Sequence, residues 1–79
     1  MLTLTPHRLR AVRKALGLTQ AALGHALGIS KIEVYRKETA EDHAYHSPVL
    51  HVQVLALRWL LHVAGFSDAQ VAKITGKEQ

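Results

Sequence analysis

Arg8, Arg10, Arg13, Lys14, Lys31, Arg36 and Lys37 put seven basic side chains into the first 37 residues of this chain, against the single acid Glu33, for a net +6. Residues 38–79 carry three basic and five acidic side chains, for a net −2. The chemistry such a half can do is electrostatic: it attracts a polyanion. The six histidines raise a second possibility, metal ligation. His43 and His46 flank Tyr45 just after Glu41 and Asp42, and His51 and His62 lie further on. None has the helical His-x-x-x-His spacing with a third ligand nearby, so no metal site is assigned, and His43 or His46 is left as a candidate phosphate contact. The sequence offers no Ser/His/Asp set, glycine-rich phosphate loop or paired-carboxylate pocket, and so suggests neither an enzyme nor a cofactor.

These side chains must be positioned by helices, because no stretch alternates polar and apolar residues over a strand length beside a hairpin turn. Thr5, Pro6 and Gly17 bound helix 1 at about Pro6 to Leu16, with Leu9, Val12 and Leu16 as its apolar stripe and Leu4 stapled onto Leu9. Helix 2 runs from Thr19 to about Leu27, with Leu18 and Leu23 as a staple and Gly28 after it. Ser30-Lys31-Ile32-Glu33 has the spacing of a capping box. It opens helix 3, stapled by Ile29 and Val34 and ending near Glu38. Residues 39–46, TAEDHAYH, form a loop. Ser47 and Pro48 open a long helix 4 over about 48–64, and a short helix 5 follows over about 67–75, opened by a second capping-box spacing, Ser67 to Gln70. The tail from Lys77 to Gln79 is expected to fray. Residues 17–28, GLTQAALGHALG, echo residues 65–76, GFSDAQVAKITG, as two well-capped short helices would.

At 79 residues the chain has room for one small all-α domain, 1–79, and small domains bury a low fraction of their surface. With no cysteine available for disulfides, oligomerisation is the remaining remedy, and a reducing compartment fits. Residues 1–10, MLTLTPHRLR, lack the apolar core of a signal peptide, and residues 48–64 are interrupted by His51, Gln53, Arg58 and His62. The expectation is a cytoplasmic protein with no membrane partner.

The tandem of helices 2 and 3, about 19–38, makes specific demands. Gly24 is the small residue at which the two helices cross, Gly28 the turn, and Val34 the inward lock. The segment R-x-x-x-GLTQxxLGxxLGIS, read from Arg13, resembles the lambda-repressor-like helix–turn–helix domains, also called the xenobiotic-response-element type. The resemblance covers residues 8–38, and a helix after the motif is also expected of that family. In size and in its LALRWLL helix the chain is similar to small phage regulators, including those associated with anti-CRISPR operons.

The resemblance implies a five-helix fold and a sequence-specific regulator of transcription that binds double-stranded DNA without a small-molecule ligand. Gln20 matches a glutamine that contacts phosphate at a helix N-terminus. Lys31, Ile32 and Tyr35 match positions facing base edges, and Arg36 is placed to reach a base or a phosphate. Two departures stand out. Lys37 occupies a position that is large and apolar in the family, which implies a less buried end of helix 3 with Lys37 on the DNA backbone. Thr39-Ala40 replaces the usual Asn-Gly type of turn. An antitoxin or adaptor that uses the same fold for protein contacts is the alternative.

Helix 4 carries two apolar stripes. Leu50, Val54, Leu57, Leu61 and Ala64 make one, suited to cover the core. Val49, Val52, Ala56, Trp59, Leu60 and Val63 make the other, and a second copy of the chain would cover it through helix 4 with or without helix 5, the alternative being helix 5 alone within one subunit. Val52, Ala56, Trp59, Leu60 and Val63 are therefore the candidate dimerisation residues.

Overall fold

A computed structural model describes residues 3–76 of the chain. Among the described residues the only regular elements are five helices: α1 (Pro6–Ala15), α2 (Gln20–Leu27), α3 (Lys31–Lys37), α4 (His51–Val63) and α5 (Asp68–Thr75). The expected fraying of Lys77 to Gln79 lies outside the described residues. No described helix is long and apolar enough to cross a membrane.

The starts of the short helices follow from side chains that accept from exposed backbone N–H groups. Thr5 Oγ1 accepts from Arg8 N, Thr19 Oγ1 from Ala22 N and Ser30 Oγ from Glu33 N, at 3.2, 3.0 and 3.1 Å. The reciprocal box forms at α5, where Ser67 N donates to Gln70 Oε1 at 2.8 Å and Gln70 N to Ser67 Oγ at 3.2 Å. Gly28, with φ 73°, closes α2 in the left-handed region that glycine enters without Cβ strain.

Helix α4 begins three residues later than the sequence suggests. Ser47 is drawn away to the end of α3, so it does not act as a cap. Pro48, Val49 and Leu50 precede the helix instead, and Leu50 N donates to Gln53 Oε1 at 2.9 Å. Leucine has no side-chain acceptor to complete a box.

One apolar core joins all five helices and the segment before α4: Leu4, Leu9, Val12, Leu23, Val34, Val49, Val54, Leu57, Leu61 and Val71 are buried. Helix α2 packs against α3, α1 against α5 and α4, and α4 against α5. Of the stripe expected to cover the core, Val54, Leu57 and Leu61 do so, while Leu50 and Ala64 are exposed. Val49, expected on the second stripe, is buried, because it lies in the extended segment that enters the core.

Candidate nucleic-acid interface

Gly24 sets the distance between α2 and the chain entering α3. A Cβ at this position would lie 2.7 Å from the Ile29 carbonyl oxygen and 3.1 Å from that of Ser30. Only a residue without a side chain lets the two segments meet there. Val34, fully buried, then fixes which side of α3 faces inward.

At about 100° per residue, the outward side of α3 presents Lys31, Tyr35, Ile32 and Arg36 in that order across an arc of about 140°. All four are exposed, Ile32 at 62% and Tyr35 at 58%. The aliphatic Ile32 and the aromatic Tyr35, with its polar hydroxyl, thus occupy the middle of the arc and two cations its flanks. The structure brings these four expected residues together on one surface.

Lys37 departs from expectation. It lies on the opposite side of α3, only 4% exposed, and Nζ donates to the Pro48 carbonyl at 2.9 Å and to Ser47 Oγ at 3.3 Å. The expected contact with a DNA backbone is therefore corrected: this ammonium ties the end of α3 to the segment before α4. Its four-carbon stem takes the place of the expected apolar residue. Burial pushes its pKa below the ordinary 10.5, against an opposing pull from Glu33.

Beside the exposed arc lies a hollow of about 320 Å³ lined by Arg10, Arg13, Gln20, Tyr35, Glu38, Thr39 and Ala40. The Glu38 carboxylate is held from α1 by Arg13, whose Nε donates to Oε2 at 2.6 Å and whose Nη2 donates to Oε1 at 3.1 Å. Arg13 Nη1 also donates to the Leu18 carbonyl at 3.1 Å, which fixes the guanidinium plane. Hydrogen bonding to Glu38 raises the pKa of Arg13, with burial opposing. Arg10 Nη2 donates to the Glu38 carbonyl at 3.0 Å. Gln20 Nε2 donates to Glu38 Oε1 at 3.1 Å. Gln20, the expected phosphate contact, is thus oriented by Glu38 and keeps a second amide hydrogen to give.

Glu38 is the residue that sequence reasoning missed. A signal was available. An acid at the C-terminus of a helix opposes the helix dipole, so its presence calls for a cation nearby. Arg13, quoted in the motif without a role, is that cation.

The second candidate surface is on α4. Val52, Ala56, Trp59 and Val63 are exposed as expected, Trp59 at 67%, and Leu55 extends their stripe. Leu60 does not belong to it: it is half-buried and packs against the core. At about 100° per residue, Leu60 lies roughly 80° from Val52, on the flank nearer Leu57 and Leu61. No described group of three or more His, Asp, Glu or Cys side chains is placed to hold a metal ion. His46 Nδ1 faces the Thr39 carbonyl at 2.9 Å, and His43 Nδ1 accepts from Tyr45 N at 3.1 Å, so both rings are engaged within their own loop.

Comparison with protein-family models, with curated proteins and with solved structures finds no match for this chain.

Proposed function

We propose that the chain is a lambda-repressor-like helix–turn–helix protein that binds double-stranded DNA and regulates transcription, with α3 in the major groove. The observation that carries this reading is the exposed arc of α3, two cations flanking Ile32 and Tyr35, on a helix locked in place through Gly24 and Val34. An α-helix fits the width of the B-DNA major groove, and lysine or arginine supplies the commonest base contact there. The N-terminus of α2 and Gln20 lie beside the arc, suited to a phosphate. The net +6 of residues 1–37 adds attraction that is independent of sequence.

The protein acts in the cytoplasm as a homodimer through the exposed stripe of α4, and reads an inverted repeat. A second copy is the occupant that supplies an identical apolar stripe by twofold symmetry. Repression, including of its own promoter, is the regulatory mode that needs only occupancy of DNA. The relationship to small phage regulators belongs to the same proposal.

The test is a gel shift on random duplex DNA at two salt concentrations, followed by selection of bound sequences and a footprint. Salt-sensitive binding and an enriched near-palindrome are expected. Absence of duplex binding overturns the reading and leaves the antitoxin or adaptor role.

A further inference from the structure

We propose that Ile32, with the ring of Tyr35 beside it, reads the 5-methyl group of thymine, so that thymine within each half-site is a specificity determinant of this chain. The inference rests on the DNA-binding reading above. Its starting point is the order of side chains across α3: Lys31, Tyr35, Ile32, Arg36. A helix about 10–12 Å across fills a groove about 12 Å wide. The middle of its outward arc then meets the floor of the groove, and the flanks meet the walls. Here the middle is Ile32 and the ring of Tyr35, where only the phenolic hydroxyl can hydrogen-bond. Ile32 is exposed and carries no donor or acceptor, so it cannot recognise a base edge by hydrogen bonding. The thymine methyl is the apolar group that the major groove displays. Lys31 and Arg36, long and cationic, reach from the flanks to outer base edges or to phosphates.

The same pair fits poorly as a protein-docking site. Two side chains fall well short of the roughly 800 Å² that each partner buries in a standard interface. The longer apolar stripe of this chain lies elsewhere, on α4. Cations on both sides also favour a polyanionic surface over an apolar one.

Deoxyuridine in place of thymine supplies the test, because uracil keeps the pairing and the O4 acceptor and lacks only the methyl group. Duplexes enriched from a random pool by the wild-type protein are resynthesised with deoxyuridine at each thymine in turn. Affinity is expected to fall about fourfold at one or two positions of each half-site, the worth of one buried methyl group. Ile32→Ala is expected to bind the thymine and uracil duplexes equally at one of those positions, with an unchanged salt slope. Ile32→Val should keep part of the discrimination. Circular dichroism confirms that both variants fold, and the wild-type arm decides the question without them. Equal affinity for thymine and uracil at every position overturns the inference while the DNA-binding reading stands. Failure of the wild-type protein to bind any duplex overturns both.

Discussion

The Arg13 guanidinium grips both carboxylate oxygens of Glu38, at 2.6 and 3.1 Å, and so joins α1 to the end of α3 across a nearly buried site. An uncompensated charge left at such a site is costly.

Glu38→Leu is expected to destabilise the fold by about 3 kcal/mol, because it strands the Arg13 charge, and Arg13→Met by less, because Arg10 Nε stays 3.8 Å from Glu38 Oε1. The double variant Arg13→Met with Glu38→Leu should recover much of that loss, since no charge stays buried. Urea midpoints of the four proteins check this. Additive losses in the double variant would show that the two groups act independently.

The two glycines of the α2–α3 turn should respond differently. Gly24→Ala drives a Cβ into backbone and is expected to cost about 1–3 kcal/mol. Gly28→Ala meets no atom within 4 Å and costs only the left-handed backbone, about 1–2 kcal/mol. Asparagine tolerates that conformation, so Gly28→Asn should restore most of the stability. No small side chain should do so at position 24. Thermal melts of the set distinguish crowding from backbone strain.

Lys31→Ala and Arg36→Ala should each weaken operator binding by about 1–3 kcal/mol while leaving the urea midpoint unchanged. Both side chains are exposed on α3, so the fold does not depend on them. Full operator affinity in both variants would remove α3 as the reading element.

Trp59→Glu combined with Val63→Lys should dissociate the proposed homodimer. Burying a large apolar side chain is worth about 1.5–3 kcal/mol, so the loss exceeds tenfold in the dimer constant. Sedimentation of the wild type and the variant reads this directly, and far-UV circular dichroism should match between them. A footprint by the wild type should span two half-sites about 34 Å apart. A wild-type monomer at micromolar concentration would refute the dimer.

Lys37 predicts a dependence on alkaline pH. Its folded pKa lies below the ordinary 10.5. Between those two values the unfolded chain holds a proton that the folded chain has shed, so stability rises with pH across that window. At neutral pH both states are charged, and the cost of burying the ammonium is fully present. Lys37→Met lacks this rise. The wild type should therefore gain on the variant as pH climbs from neutral toward 10.5, measured as the difference between their urea midpoints. A difference that stays constant with pH would refute the assignment.

The helices and their caps were legible because they depend on local spacing. Thr5, Thr19, Ser30 and Ser67 each accept a hydrogen bond three residues on, and that distance is written in the sequence. Gly24 and Val34 were legible for a similar reason, since a close crossing tolerates few residue types. Contacts between distant segments were not. The sequence alone implies an exposed Lys37, because nothing local indicates that Ser47 and Pro48 return to meet it ten and eleven residues later. The same contact removed Ser47 from the start of α4. The role of Glu38 is not visible locally because its partner lies 25 residues upstream. On α4, Leu60 sits at the edge between two stripes, where only the position of the neighbouring helices decides burial.

The Lys37 ammonium has one further consequence. It holds Ser47 and Pro48 against the end of α3, Ser47 N donates to the Arg36 carbonyl at 3.3 Å, and His46 closes onto Thr39. The two ends of the loop are thus clamped together, while residues 40–45 between them are all exposed. Chain length in that interval is decoupled from the placement of α3 and α4. Doubling a closed loop adds only about 0.6 kcal/mol of entropy cost. Residues 40–45 form a tolerant insertion point, where the chain can be lengthened, nicked or fitted with a graft while the clamp keeps both helices in register.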